Sequence, residues 1–426
     1  MSDATLQSQP ASFLGILRQP NFRNYWLGQL ISLIGDNFYM IALPLLALQL
    51  SGGSGVALGT VLMFSAFPKA ILMLFGGAIS DRYSPRSVMM MTNWLNALTI
   101  GGLALVLALG SAQLWHLYLV AFLLGTADAF YFPAAGSMMP FIVEARDLEV
   151  GNSVYQLSQR LLLLAGPAVA GVIIGMIGIS SALGVDVATF VIANLFLASI
   201  VMRQRKRQTE IDQTEDEPNA SLAKPDGILS SIKAGLVYVV RDPILLGLLL
   251  LIAIVDFTAA GAFQVGLPVL IENRFGQGAA ALGLVLSSFG TGSLLGVLLG
   301  GTLRVQRIGY LFLAISLSLG VTVTLMALVP SVLWLMILLG VMGIGSGVFN
   351  VVGISWLQRR TEDAFIGRVM SLVSFSSAGL APLSLLIAGV LMDISPNLLF
   401  TGAGVLVIIG TLILSLRPSF REMQAN

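Results

Sequence analysis

Gly76-Gly77-Ala78-Ile79-Ser80-Asp81-Arg82-Tyr83-Ser84-Pro85-Arg86 places Asp81, Arg82 and Arg86 around a serine-proline turn. Long apolar runs flank it, roughly 55 to 80 and 88 to 110. A helix of about 20 apolar residues crosses a hydrocarbon core about 30 Å thick. The stretch therefore reads as the charged turn between two membrane-crossing helices.

The whole chain repeats that alternation. Mean hydropathy is +0.91; of its 426 residues 56% are hydrophobic and only 10% charged, against about 25% charged in ordinary soluble domains. This is the composition of a polytopic, all-α membrane protein. The formal net charge of +1 leaves no electrostatic footprint for nucleic acid. With no cysteine and only His116, disulfides and thiolate metal sites are excluded and imidazole chemistry is nearly so. No metal or cofactor is expected. No cleavable signal peptide is expected, because the first 23 residues are polar and the apolar run after them is too long for a signal sequence.

Twelve apolar runs are predicted as spans: about 24–49, 55–80, 88–110, 114–138, 151–177, 182–202, 243–271, 278–302, 309–329, 332–356, 366–391 and 397–416. The one long polar segment, 203–242, opens on Arg203, Arg205, Lys206 and Arg207 and continues acidic through Glu217, which reads as a solvated, partly disordered linker. The expected domains are residues 1–23 as an N-terminal segment, 24–202 and 243–416 as two six-helix bundles, and 417–426 as a tail. Nineteen of the 22 Lys and Arg fall in the termini, the linker and the loops on their side, against Arg274 alone in the opposite set and Lys69 and Arg160 within spans. By the positive-inside rule both termini and the linker are cytoplasmic, in a cell (inner) membrane. A monomer is expected.

The halves echo each other. Asp36 pairs with Asp256, Pro44 with Pro268, Gly76-Gly77 with Gly300-Gly301 and Gly166-Pro167 with Ala381-Pro382, at offsets of about 215 to 224 residues. A steady offset points to two parallel six-helix repeats, an arrangement common in secondary transporters. Val305 falls where a second Asp81 would stand.

Twelve helices in two halves, with Gly77-x-x-x-Asp81-Arg82-x-Ser84-Pro85-Arg86 between the second and third, resemble the major facilitator superfamily, whose signature there is G-x-x-x-D-R-x-G-R-[RK]. Ser84 stands in place of a glycine and Pro85 intervenes. Gly166-Pro167-Ala168-Val169-Ala170-Gly171 looks like that family's G-P-x-x-G-G antiporter motif, with one glycine replaced by alanine. Gly35-Asp36, Phe132-Pro133-Ala134 and Gly367-Arg368-Val369-Met370 are similar to the branch containing macrolide-efflux and enterobactin-exporter-like proteins, drug:proton antiporters. The resemblance implies a central cavity lined by helices 1, 4, 7 and 10. It also implies a latch, Gly77, Asp81, Arg82 and Arg86, in which Asp81 meets the start of helix 11 in the outward-facing state, and a helix-packing role for Gly166, Pro167 and Gly171. The helix 4 arginine often used for proton relay in such antiporters is replaced here by Ala121.

Intramembrane charges carry the remaining signal. Each costs about 2.5 to 3.5 kcal/mol at a helix centre. Asp36, Lys69, Asp128, Arg160 and Asp256, if lipid-facing and unpaired, would cost on the order of 10 to 15 kcal/mol together, so they must face a wet cavity or one another. Asp36, Lys69 and Asp256 fall near mid-span, at about 12 to 14 residues into their helices. Asp128 and Arg160 sit at comparable depth in helices 4 and 5, where an ion pair is expected. Lys69 is a counter-ion for Asp36 or an attractor for an anion. Phe130, Tyr131, Phe132, Trp26, Phe38, Tyr39 and Trp94, with Met73 and Met89 to Met91, could supply an adaptable apolar pocket.

No G-x-x-x-x-G-K-[ST] motif occurs, which argues against ATP-driven transport by this chain alone, and no catalytic constellation points to an enzyme. The expected function is proton-coupled export of an amphiphilic small molecule (a drug, macrolide or siderophore), with protons and membrane lipid as its other partners. One alternative is a lysophospholipid flippase, since those transporters carry a Gly-Asp-Asn similar to Gly35-Asp36-Asn37. Another is a non-transporting receptor or scaffold.

Overall fold

The computed structural model describes residues 12–202, 227–303, 305–363, 365–421 and 423–424, with backbone alone for 74–82 and 227–233. Among these, eleven continuous helical stretches are long and apolar enough to cross a membrane. The longest, Ala145–Ala198, has 54 residues, about 80 Å at 1.5 Å per residue and far too long for one crossing. Gly178 breaks it, with φ 80° and ψ 164°, a conformation open to glycine at no steric cost. Dividing the stretch there yields twelve spans.

These are α1 (Pro20–Ser51), α2 (Gly55–Arg82), α3 (Pro85–Ala108), α4 (Leu114–Met138), α5 (148–177), α6 (179–198), α7 (Pro243–Arg274), α8 (Ala279–Thr302), α9 (Ile308–Met326), α10 (Val332–Arg360), α11 (Ile366–Ile394) and α12 (Pro396–Ser415). Local chemistry sets their ends. The Ser84 Oγ accepts from Ser87 N–H, 3.2 Å, and Pro85 begins α3. The serine-proline departure from the family signature is thus an N-cap followed by a proline whose missing N–H costs nothing there. Asp242 caps α7 in the same way, accepting from Ile244 N at 2.9 Å, with Pro243 behind it. Gly52, at φ 67°, closes α1.

Helices α1 to α6 pack on one another, as do α7 to α12, and the two groups meet chiefly through α2 on α11 and α5 on α8. Exposed Leu98, Leu105, Leu195, Leu298 and Ile413 ring the outside. That apolar surface suits lipid, where it costs nothing. The face that carries the short helices Phe13–Ile16 and Pro418–Arg421 is the terminal face, and its opposite is the far face.

Part of the predicted linker departs from expectation. Gly227–Arg241 is a helix lying on α11. It is held by buried Val239, by Tyr238 stacked on Phe365 with centroids 4.3 Å apart, and by the Tyr238 hydroxyl accepting from Glu362 N–H. Apolar residues recurring at helical spacing override the polar average of the segment. The charge-rich stretch 203–226 lies outside the described residues.

The α5–α8 contact is backbone on backbone. Gly171 lies against the Ala279 carbonyl and Gly283 against the Pro167 carbonyl, with room for a Cβ at neither. The Ser287 hydroxyl, one turn on, accepts from Ala168 N–H at 2.8 Å. The glycine-proline motif of α5 therefore serves a crossing between the two groups of helices.

At the far face the two groups are joined by polar bonds. The Asp393 carboxylate, at the end of α11, accepts from Gly55 N–H, from Val56 N–H at 3.1 Å and from the Ser54 hydroxyl at 2.8 Å. The first amides of a helix have no partner within it, so a carboxylate from the other group of helices caps α2. Asn273 adds a bond from its Nδ2 to the Gly53 carbonyl, 2.8 Å.

Candidate functional site

A cavity of about 440 Å³ lies midway along the spans. Asp36, Tyr39, Met40, Leu43 and Pro44 reach it from α1, Leu62, Ser65 and Lys69 from α2, Asn96 and Ile100 from α3, Leu124, Asp128 and Phe132 from α4, and Asp186 and Phe190 from α6. The second group of helices closes it with Phe263, Gln264, Pro268, Leu282 and Leu286.

That second wall is built on irregular helix. Ala262–Gly266 and Leu270–Arg274 of α7 are π-helical; wide turns of this kind occur often at functional sites. Ser384 of α11 supports the approach to them, donating to the Phe257 carbonyl and accepting from Gly261 N–H. Backbone irregularity at membrane depth survives where neighbouring helices satisfy the polar groups it frees.

Asp128 pairs with Lys69, whose Nζ lies 3.1 Å from Oδ2. The same ammonium sits 4.3 Å from the centre of the Phe132 ring, a cation–π distance. The expected Asp128–Arg160 pair does not form. Arg160 reaches across to Asn350 of α10 at 3.4 Å and is exposed. Equal depth on adjacent helices was its only support, and depth does not fix which way a side chain points around the helix. Asp36 is exposed to the cavity, with no hydrogen bond or ion pair among the described residues.

Asp256 falls elsewhere. It lines a separate cavity of about 110 Å³ with Val255, Ser316, Ser346 and Phe349, and accepts a hydrogen bond from Ser377. Its sequence offset from Asp36 does not bring it to the same site. Helix α10 contributes nothing to the larger cavity, while α2, α3 and α6 do, so its lining differs from that implied by the resemblance. Of the predicted aromatics, Tyr39 and Phe132 line the cavity. Phe38 is core, Trp26 donates to Ser158, the Tyr131 hydroxyl donates to Gln29 at 2.9 Å, and Trp94 is exposed on the outside. His116 caps the start of α4 with Gln113. Gly77, Asp81 and Arg82 lie outside the described side chains. Arg86 donates to the Ala198 carbonyl at the end of α6, 2.6 Å.

One residue at this site was not anticipated. Asp186 of α6 has no accessible surface, and neither carboxylate oxygen accepts a hydrogen bond among the described residues, the neighbouring Thr189 hydroxyl donating instead to the Asp186 backbone carbonyl at 2.7 Å. Gly35 makes room for it: a Cβ on α1 there would strike Asp186 Oδ1 and Thr189 Oγ1. The span predicted from 182 put Asp186 close to a membrane edge, whereas α6 begins at 179, a turn earlier. A carboxylate within an apolar run was the available signal.

A cavity at mid-membrane depth that carries charged side chains on a largely apolar lining, between two groups of six helices, is the architecture of a secondary transporter. The chain belongs to the Major Facilitator Superfamily, whose profile matches residues 25–276 and 249–425. It is 26% identical over 404 residues to the multidrug efflux pump Tap of Mycobacterium tuberculosis, covering 92% of each chain. It is 25% identical over 415 residues to the enterobactin exporter EntS of Escherichia coli, covering 95% of this chain and 94% of that one. It is 22% identical over 413 residues to macrolide efflux protein A of Streptococcus pyogenes, covering 94% and 97%. The fold matches the crystal structure of the nucleoside transporter NupG, with a TM-score of 0.68 at 13% identity over 92% of this chain and 98% of that one. It also matches a bacterial homologue of the iron transporter ferroportin, with a TM-score of 0.67 at 15% identity over 93% and 98%.

Proposed function

We propose that the chain exports an amphiphilic small molecule from the cell by alternating access, in exchange for protons, with both termini in the cytoplasm of a monomer in the inner membrane. The observation that carries this reading is the cavity itself: carboxylates and an ammonium on one wall, Phe, Leu and Pro on the other, between two groups of helices that can rock. Asp36 is the proposed proton-exchanging group, because it faces the cavity without a partner. Asp128, held by Lys69, shares that role when the pair opens. Residues 24–202 and 243–416 are the proposed moving bodies; Arg160, which reaches Asn350, would act at their contact and Asp256 within the second body, neither on substrate. The names of the relatives, a multidrug pump and exporters of a siderophore and of macrolides, support the direction of transport.

With the far face tied by Asp393 and the α5–α8 crossing in contact, we assign this conformation as inward-facing. Asp81 would serve the opposite state, capping α11 at the terminal face as Asp393 caps α2 at the far one. Asp81→Asn is then expected to favour the inward-facing state.

The test is flux in liposomes. Purified protein under an imposed proton gradient should accumulate a fluorescent amphiphile, and Asp36→Asn should lose gradient-driven accumulation by tenfold or more while still allowing downhill movement. Gradient-independent transport by wild type, matched by Asp36→Asn, would remove the coupling reading. Movement of lysolipid under those conditions would instead favour a flippase.

A further inference from the structure

We propose that the cavity around Asp256, inside the second group of helices, binds an alkali-metal cation, sodium or potassium, through the Asp256 carboxylate and the hydroxyls of Ser316 and Ser346. This goes beyond the transport reading. It concerns a bound ion away from the cavity that carries Asp36, and it does not depend on which molecule is moved.

Three helices bring side-chain oxygens to that cavity: Asp256 comes from α7, Ser316 from α9 and Ser346 from α10. A serine or threonine inside a helix commonly donates back to the carbonyl one turn earlier, and Thr258 of α7 and Ser376 of α11 do so, onto Ile254 and Leu372. Ser316 and Ser346 make no such bond, and neither hydroxyl has another partner among the described residues. Both line the cavity instead. Ser377 of α11 donates to the Asp256 carboxylate and fixes its orientation. No Lys, Arg or His lines this cavity, so a half-buried carboxylate stands within a span without a counter-charge among the described residues.

The donor set selects the ligand. The lack of cysteine and the single histidine exclude soft-metal sites and leave an all-oxygen one open, and carboxylate and hydroxyl oxygens suit hard cations. One carboxylate balances one positive charge. A calcium or magnesium ion would leave an excess charge among Leu251, Val255, Ile315 and Leu319, where unbalanced charge is expensive. The cavity measures about 110 Å³, against roughly 30 Å³ for a water molecule's share of the liquid, so an ion can keep waters beside its protein ligands. Sites for drug-sized molecules run to about 300 to 1,000 Å³, which rules out the amphiphile here.

The position gives the ion leverage over the larger cavity. Asp256 lies within two turns of the π-helical Ala262–Gly266, which carries Phe263 and Gln264 into that cavity's second wall. The carbonyl of the next residue, Phe257, accepts from Ser384 of α11. A cation bridging α7, α9 and α10 therefore braces the helix on which that wall is built.

Thermal unfolding of the full-length protein in detergent, at equal ionic strength, can compare sodium, potassium and N-methylglucamine, a cation too large for the cavity. Sodium or potassium should raise the midpoint by several degrees over N-methylglucamine, and saturably, because a ligand of the folded state alone stabilises it. Whichever acts at the lower concentration is the ion of the site. Asp256→Asn keeps the shape and removes the charge, and should abolish the rise. Ser316→Ala and Ser346→Ala should each raise the concentration needed at least fivefold, whereas Asp36→Asn should leave it unchanged. Should Asp256→Asn fold poorly, the two serine variants carry the test, and wild-type concentrations in both would overturn the proposal. It is equally overturned if the three cations act alike on the wild-type protein, if the rise survives Asp256→Asn, or if Asp36→Asn removes it.

Discussion

Asp393→Ala is expected to open the far face. The substitution removes a carboxylate that accepts from Gly55 N–H, Val56 N–H and the Ser54 hydroxyl at the start of α2, leaving the first two amides of that helix without a partner while Ala57 N–H keeps the Ser54 hydroxyl. The positive end of the helix dipole adds to the loss. A hydrogen bond to a charged group contributes about 1.5 to 3 kcal/mol net, so the conformational equilibrium should move roughly ten- to a hundredfold. The chain has no cysteine, which makes the measurement clean. In a Leu62→Cys background, whose position lines the cavity, an impermeant maleimide applied from the far face should label the Asp393→Ala protein much faster than its parent. Equal labelling rates would show that the bonds are not what holds this face shut.

Gly283→Ala should be the most disruptive single-methyl change in the α5–α8 contact. Alanine is worth about 0.8 to 1.0 kcal/mol more than glycine in a helix interior, so propensity alone predicts stabilisation. The added Cβ would collide with the Pro167 carbonyl oxygen, a backbone atom that cannot rotate away. Overpacking of this kind costs about 1 to 3 kcal/mol and should prevail. Gly102 on α3 has nothing within 4 Å of its would-be Cβ and serves as the control. Thermal unfolding in detergent should therefore fall for Gly283→Ala and hold or rise for Gly102→Ala, with flux lost only in the former. A rise in both would mean that α5 and α8 separate without cost, and that the glycine-proline motif does not set their spacing.

A charge within an apolar run marks a residue as functional or paired but does not name its partner. Asp36, Lys69 and Asp128 were visible as charges within apolar runs, and the structure brings all three to one cavity. Their partners were not visible. Asp128 was matched with Arg160 on depth alone, yet Lys69 holds it and Arg160 turns toward α10. Asp256 shares an offset with Asp36 but sits in a cavity of its own. Asp186 and Asp393 fall near the edges of the predicted spans, where hydropathy does not distinguish an interfacial carboxylate from a buried one. A shift of one helical turn in a boundary changes that reading completely, and boundaries are where hydropathy carries least information.

Hydropathy and basic-residue asymmetry are sums along the chain, and they determined what sums can determine, an all-α membrane protein with twelve spans; the family resemblance came from local motifs such as Gly77-x-x-x-Asp81-Arg82. Serine-proline and aspartate-proline caps, and the glycine that divides α5 from α6, are likewise local, because each is settled by backbone groups within a turn or two. Rotation of each helix about its axis decided the rest. It fixes which carboxylate meets the single ammonium, which is left without a donor, and which reaches the first amides of a helix more than 300 positions away. Those outcomes depend on close contacts between helices distant in sequence, where glycine lets backbones touch and a methyl group would not fit.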